Sequence, residues 1–226
     1  MSFRTVRVLL LTGLFAGTTV AGFAGVLASN TYDGGSNLFA SQNDTTSGFG
    51  NFATSYEQFT LSGPNSISSF SFTGGYFNPP SQGTITGWTL DFYHDASGAP
   101  GTVISTDSVS GTGDETFLGN VNGYPIYTYS LAVTGVDLGP GTYWASVVPD
   151  LGFPPQWGWA TGVNTSGQDA TGYQVFFGSG NSEPGFAYEV DGTETPEPSS
   201  LLLLGTGLLG LAFVAFRKAK AFGLAL

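Results

Sequence analysis

The chain has 226 residues, and its sixteen acidic side chains against five basic ones leave a net charge of −11. A body this negative repels phosphate backbones, which argues against nucleic acid as a partner, and the lack of cysteine excludes disulfide staples and thiolate metal sites. Aromatic residues make up 15% of the chain, glycine is abundant and helix-forming runs are scarce, which is the composition of a β-protein.

Position says more than totals. The basic residues are Arg4, Arg7, Arg217, Lys218 and Lys220, all at the two ends, whereas every acidic residue lies between Asp33 and Glu197. Such segregation is expected of an acidic body bracketed by targeting signals. At the N-terminus, MSFRTVR is a positive n-region and VLLLTGLFAG an uncharged apolar h-region. Val26-Leu27-Ala28 suits signal-peptidase cleavage before Ser29, with Gly22-Phe23-Ala24 as a second candidate site. The predicted division is a signal peptide over 1–28, a secreted domain over 29–194 and a sorting or anchor segment over 195–226. The alternative at the front is an uncleaved anchor over 8–27.

Along the body, period-two alternation marks strands. In GWTLDFYHD, Trp88, Leu90 and Phe92 share one face, with Thr89, Asp91 and Tyr93 on the other. Asn122-Gly123 is a hairpin signal ahead of YPIYTYSLAV, where Tyr127, Tyr129, Leu131 and Val133 share a face. In TYWASVV, Tyr143, Ala145 and Val147 oppose Trp144, Ser146 and Val148. YQVFF and FAYEV repeat the pattern, and SGAPG (97–101) and LGPG (138–141) are turn clusters. No helical stretch interrupts the body to build a parallel crossover. The expected fold is all-β: an antiparallel β-sandwich, jelly-roll-like, with about eight to ten strands.

Catalytic signals are thin. His94 is the sole histidine, flanked by Asp91 and Asp95, but no G-x-S-x-G elbow presents a nucleophile. Asp114 and Glu115 are adjacent and would point to opposite faces of a strand, so they do not form a glycosidase pair. The reading is therefore not an enzyme, with a polysaccharide-active enzyme as the remote alternative. Nor is a metal ligand set identified. The oxygen-rich loops are compatible with a structural calcium ion, although no D-x-D-x-D-G loop is present. Trp157 and Trp159 lie two apart in QWGWA; they are either core residues or a sugar-stacking pair.

The tail is the most specific feature. Pro196, Glu197 and Pro198 precede sixteen residues without charge, 201–216, and then Arg217, Lys218 and Lys220. Leu201, Leu202, Leu203, Leu204, Leu208, Leu209, Leu211, Phe213 and Phe216 are the expected membrane-anchoring side chains. As a helix the uncharged run spans about 24 Å, below a bilayer core of about 30 Å. Ser199 and Ser200 in the headgroup zone and snorkelling of Arg217 and Lys218 make up the difference. The positive-inside rule keeps the basic cluster cytoplasmic and the acidic body outside.

Motif, apolar helix and basic cluster, in that order, resemble the tail of PEP-CTERM proteins. Such tails are also labelled as an ice-binding protein C-terminal domain. Here AFGLAL continues past the basic cluster, where such tails usually stop. The resemblance implies a Gram-negative host that makes exopolysaccharide, insertion into the inner membrane, and recognition by an exosortase that cuts near the motif. The product would sit at the cell surface or in the extracellular matrix. WTLDFYHDASGAPGTVIST and VDLGPGTYWASVV resemble segments that recur in secreted PEP-CTERM bodies. The body itself is expected to play a structural or interaction role, with a carbohydrate-binding module as the alternative.

Overall fold

In the computed structural model, which describes residues 24–164, 170–195 and 198–221, the alternating runs form long strands divided between two sheets. In chain order these are β1 (Gly25–Tyr32), β2 (Leu38–Ala40), β3 (Gln42–Asp44), β4 (Gly50–Leu61), β5 (Asn65–Phe77), β6 (Ile85–Asp95), β7 (Pro100–Ser110) and β8 (Thr116–Val121). They continue as β9 (Tyr124–Leu138), β10 (Gly141–Leu151), β11 (Gln156–Ala160), β12 (Gly162–Asn164), β13 (Thr171–Phe176), β14 (Ser179–Pro184) and β15 (Tyr188–Glu194). A helix, α1 (Pro198–Ala221), follows.

One sheet runs β12-β1-β15-β5-β11-β2, with β9 on the other side of β5 and β8 beyond it. The second runs β14-β13-β4-β3-β10-β6-β7, with β4 also paired to β10. Rings from the two sheets meet between them, as in Phe70 with Phe92 and Phe72 with Trp88. This is a β-sandwich core of interdigitating inner faces. The segments number fifteen rather than eight to ten. Three of them are only three residues long, too short for a period-two pattern to mark them. Pairing is antiparallel except between β10 and β3, which run parallel.

The expected inward faces are inward. Trp88, Leu90, Phe92, Tyr129, Leu131, Phe186, Tyr188 and Val190 are all buried. The strand β10 departs from the half-buried pattern, because Trp144, Ser146 and Val148 on its outer face are buried as well. It lies between β4 and β6, whose side chains close over it. Asn122-Gly123 forms the tight turn between β8 and β9, both residues at positive φ, as a type I′ turn requires.

Two boundaries differ from expectation. β1 begins at Gly25, ahead of the boundary expected at Ser29, and residues 1–23 lie outside the described residues. At the other end, the transmembrane span expected over 201–216 is not supported: among the described residues no helix is long and apolar enough to cross a membrane. The uncharged run is short, and Gly205, Thr206, Gly207 and Gly210 dilute its apolar side chains. Nor is it a core helix. Its large apolar residues from Leu203 to Phe216 are 43–75% exposed.

Candidate functional site

Register across four strands builds a row on the outer face of the second sheet. Tyr173 pairs with Tyr56, Tyr56 with Ser146, and Ser146 with Asp91. Paired residues in antiparallel strands point the same way, so these four side chains stand side by side. Tyr93, two residues from Asp91, joins the same face. Its hydroxyl donates to Asp91 Oδ2 at 3.0 Å and lies 3.1 Å from Ser146 Oγ. The Tyr56 ring packs edge-on against Tyr93 at 5.4 Å and against Tyr173 at 6.2 Å.

Between Tyr56, Asp91, Tyr93 and Ser146 on one side and Asn43, Asn51 and Thr54 on the other lies a cleft of about 210 Å³. Tyr56 and Tyr93 line it with aromatic rings, Thr54, Thr89 and Ser146 with hydroxyls, Asn43 and Asn51 with amides, and Asp91 with a carboxylate. The buried Oδ1 of Asp91 has no protein hydrogen-bond partner. Burial pushes the Tyr56 and Tyr93 phenols above their ordinary value, and the charge of Asp91 adds to the rise. Both hydroxyls therefore stay protonated at neutral pH and can donate or accept. No cation lines the cleft. The arrangement suits a neutral ligand rich in hydroxyls and offers no counter-charge to phosphate or sulfate.

The residues singled out from sequence fall elsewhere. Trp157 and Trp159 are 0% exposed, which corrects the sugar-stacking alternative: their faces are spent on the core. Trp157 packs on Trp88 at 5.1 Å and donates from Nε1 to the Tyr129 hydroxyl; Trp159 stacks on Phe186 and donates to the Ala187 carbonyl. His94 is exposed at the end of β6, beside the Tyr143 ring. Asp95 is engaged structurally. It accepts from Trp144 Nε1 at 2.8 Å, from Gln58 and from the Gly98 N–H. The Trp144 bond leads the interactions that lower its pKa, so it pins the β6–β7 turn. Glu115 accepts from Tyr76, Tyr129 and Gln82. Among the described residues no group of three or more His, Cys, Asp or Glu is placed to hold a metal ion.

Two features escaped the sequence reading. Tyr56 belongs to the alternating run TSYEQFTL, which could have revealed it. The second is a cap of phenylalanines at one end of the sandwich. Phe49, Phe52, Phe153, Phe176 and Phe177 form edge-on and stacked ring pairs with centroids 4.9–6.3 Å apart. Phe177 occupies a type I′ turn at φ 44°, a conformation bulky residues rarely adopt. No turn signal marks it.

Of the tail, Pro196 and Glu197 lie outside the described residues. Pro198 opens α1, and Arg217 lies 5.7 Å from the Phe213 ring centroid. The remaining anchor residues and Lys218 and Lys220 all fall within α1. Compared with known families, residues 194–218 match the PEP-CTERM protein-sorting motif. The chain thus joins a β-sandwich to a tail that carries a protein-sorting motif. More particularly, it carries the PEP-CTERM signal that marks an exosortase-targeted surface protein. Comparison with curated proteins and with solved structures returned no match.

Proposed function

We propose that this chain is exported across the inner membrane, held there by its tail, and passed by exosortase to the cell surface or extracellular matrix, where the sandwich acts as an interaction module rather than an enzyme. The observation that carries this is α1: a run of exposed Leu and Phe attached directly to the sorting motif. Such an apolar surface does not persist in water and calls for a covering phase. A bilayer supplies one, with Arg217 and Lys218 snorkelling to its headgroups. Signal peptidase is the partner at the front of the chain. Intact mass of the protein exported from an exosortase-positive host tests the reading: the mature species is expected to lack the residues after the Pro-Glu-Pro region. A mass that retains Arg217 and Lys218 counts against it.

The cleft favours a second, more specific reading, a carbohydrate-binding module. Tyr56 and Tyr93 line the cleft with aromatic rings and hydroxyls, and Asn43, Asn51 and Thr54 add amide and hydroxyl groups able to bond sugar hydroxyls. Binding of the full chain to a neutral exopolysaccharide, lost in Asp91→Ala and Tyr56→Ala with the β spectrum intact, would support this. Binding unchanged in both variants removes the cleft from consideration.

A further inference from the structure

The export reading leaves open where the leader ends, and the first strand answers it. We infer that the leader is removed between Ala24 and Gly25, so that the mature chain keeps all of β1. The two sequence-compatible sites differ by four residues, Gly25 to Ala28, and those four are built into the sandwich. Gly25 pairs with Gly192, Val26 with Asp191 and Ala28 with Val190, along the side of β15 opposite β5. Removing them would leave that stretch of β15 as an unpaired edge with orphaned backbone groups.

Side chains agree with the backbone. Ala28 is 1% exposed and belongs to the main core, and Leu27 packs against that core. Leu27 also lies over Gly192 of the paired strand: a Cβ placed there would meet the Ser66 carbonyl oxygen at 2.3 Å and Leu27 Cδ1 at 2.7 Å, so the close approach of β5 requires the glycine and Leu27 fills the space beside it. A cut after Ala28 would therefore empty one core position and unfill the space beside Gly192. By contrast, Ala24 and Gly25 are exposed, and Ala24 precedes the strand. Gly22 and Ala24 put small residues three and one positions before the proposed bond, which is what signal peptidase accepts. In the reaction, water is added across the Ala24–Gly25 amide, giving a carboxylate on Ala24 and a free amine on Gly25.

This inference rests on the export reading, and one experiment separates the two. The full chain is exported in a Gram-negative host, and the mature species is analysed by intact mass and N-terminal sequencing, alongside Leu27→Ala. The expected product begins at Gly25, the variant's mass carries the substitution, and its denaturation midpoint is lower. A product beginning at Ser29, whose mass is unchanged by Leu27→Ala, overturns the inference and leaves export intact. A translocated chain that keeps residues 1–24 overturns the inference alone, whereas a full-length chain found only in the cytoplasm overturns the export reading.

Discussion

Asn30 Nδ2 donates to Glu57 Oε1 at 2.6 Å, a bond that ties β1 in one sheet to β4 in the other inside the core. The second carboxylate oxygen accepts from the Phe186 N–H at 2.6 Å. Burial outweighs both donors and pushes the Glu57 pKa well above its ordinary 4.5. The folded state therefore binds this proton more tightly than the unfolded chain. The contribution is fully present below pH 4.5 and is lost as pH rises from there through the higher folded value. In Glu57→Gln the side-chain oxygen can accept from Phe186 while the amide donates to Asn30 Oδ1, once that amide is turned. The expected outcome is a variant more stable than the parent at neutral pH, with this slope removed from a denaturation-midpoint series. A midpoint that falls at neutral pH rules the account out.

Asp44 has the opposite sign. It accepts from the N–H groups of Thr46, Ser47, Phe49 and Phe153, all within 3.1 Å. Burial raises its pKa, but the four donors together outweigh that and hold it well below the usual carboxylate range. Its stabilisation is present above the ordinary 3.8 and is lost as pH falls from there toward the folded value. Asp44→Asn turns an amide donor toward N–H donors, at a cost of about 1–3 kcal/mol for each group left unmatched. Urea unfolding at pH 7 should show the loss, and the variant should lack this part of the acid transition.

Trp157→Ala should cost about 3–5 kcal/mol, the usual range for emptying a large aromatic site in a core. Trp88, Phe72 and Tyr129 all contact this ring. The change should lower the unfolding midpoint without altering polysaccharide binding by the fraction that remains folded. Lost binding at an unchanged midpoint would contradict the buried placement.

Phe177→Asn tests what the phenylalanine cap is for. Asparagine suits a positive φ and should recover about 1 kcal/mol of backbone strain. The lost ring pairs with Phe49, Phe52 and Phe176 are worth about 0.5–1.5 kcal/mol each, less at so exposed a site. Taken at or below the lower end of that range for a residue 60% exposed, the three pairs sum to about 1–1.5 kcal/mol against about 1 kcal/mol recovered, so the unfolding free energy should change by less than about 1 kcal/mol. A loss of several kcal/mol would show that the cap is a stability element.

Legibility followed the range of the interactions involved. Charge placement, the tail motif and the strongest alternations were readable because each is local: neighbours along the chain decide them. Asn122-Gly123 announced its turn because both residues favour positive φ, whereas Phe177-Gly178 makes the same turn with a phenylalanine held by rings from elsewhere in the sequence. The number of strands stayed hidden where three-residue segments depend on partners far along the chain.

By itself, the sequence determined the β class, the acidic body between cationic ends and the sorting tail, since composition and period-two burial suffice for these. Only the tertiary structure decided that Trp157 and Trp159 are core, that Tyr56, Ser146 and Asp91 align across one face, and that β1 starts at Gly25. Each of those is a matter of register between strands distant in sequence, and register is set by how two whole faces pack together.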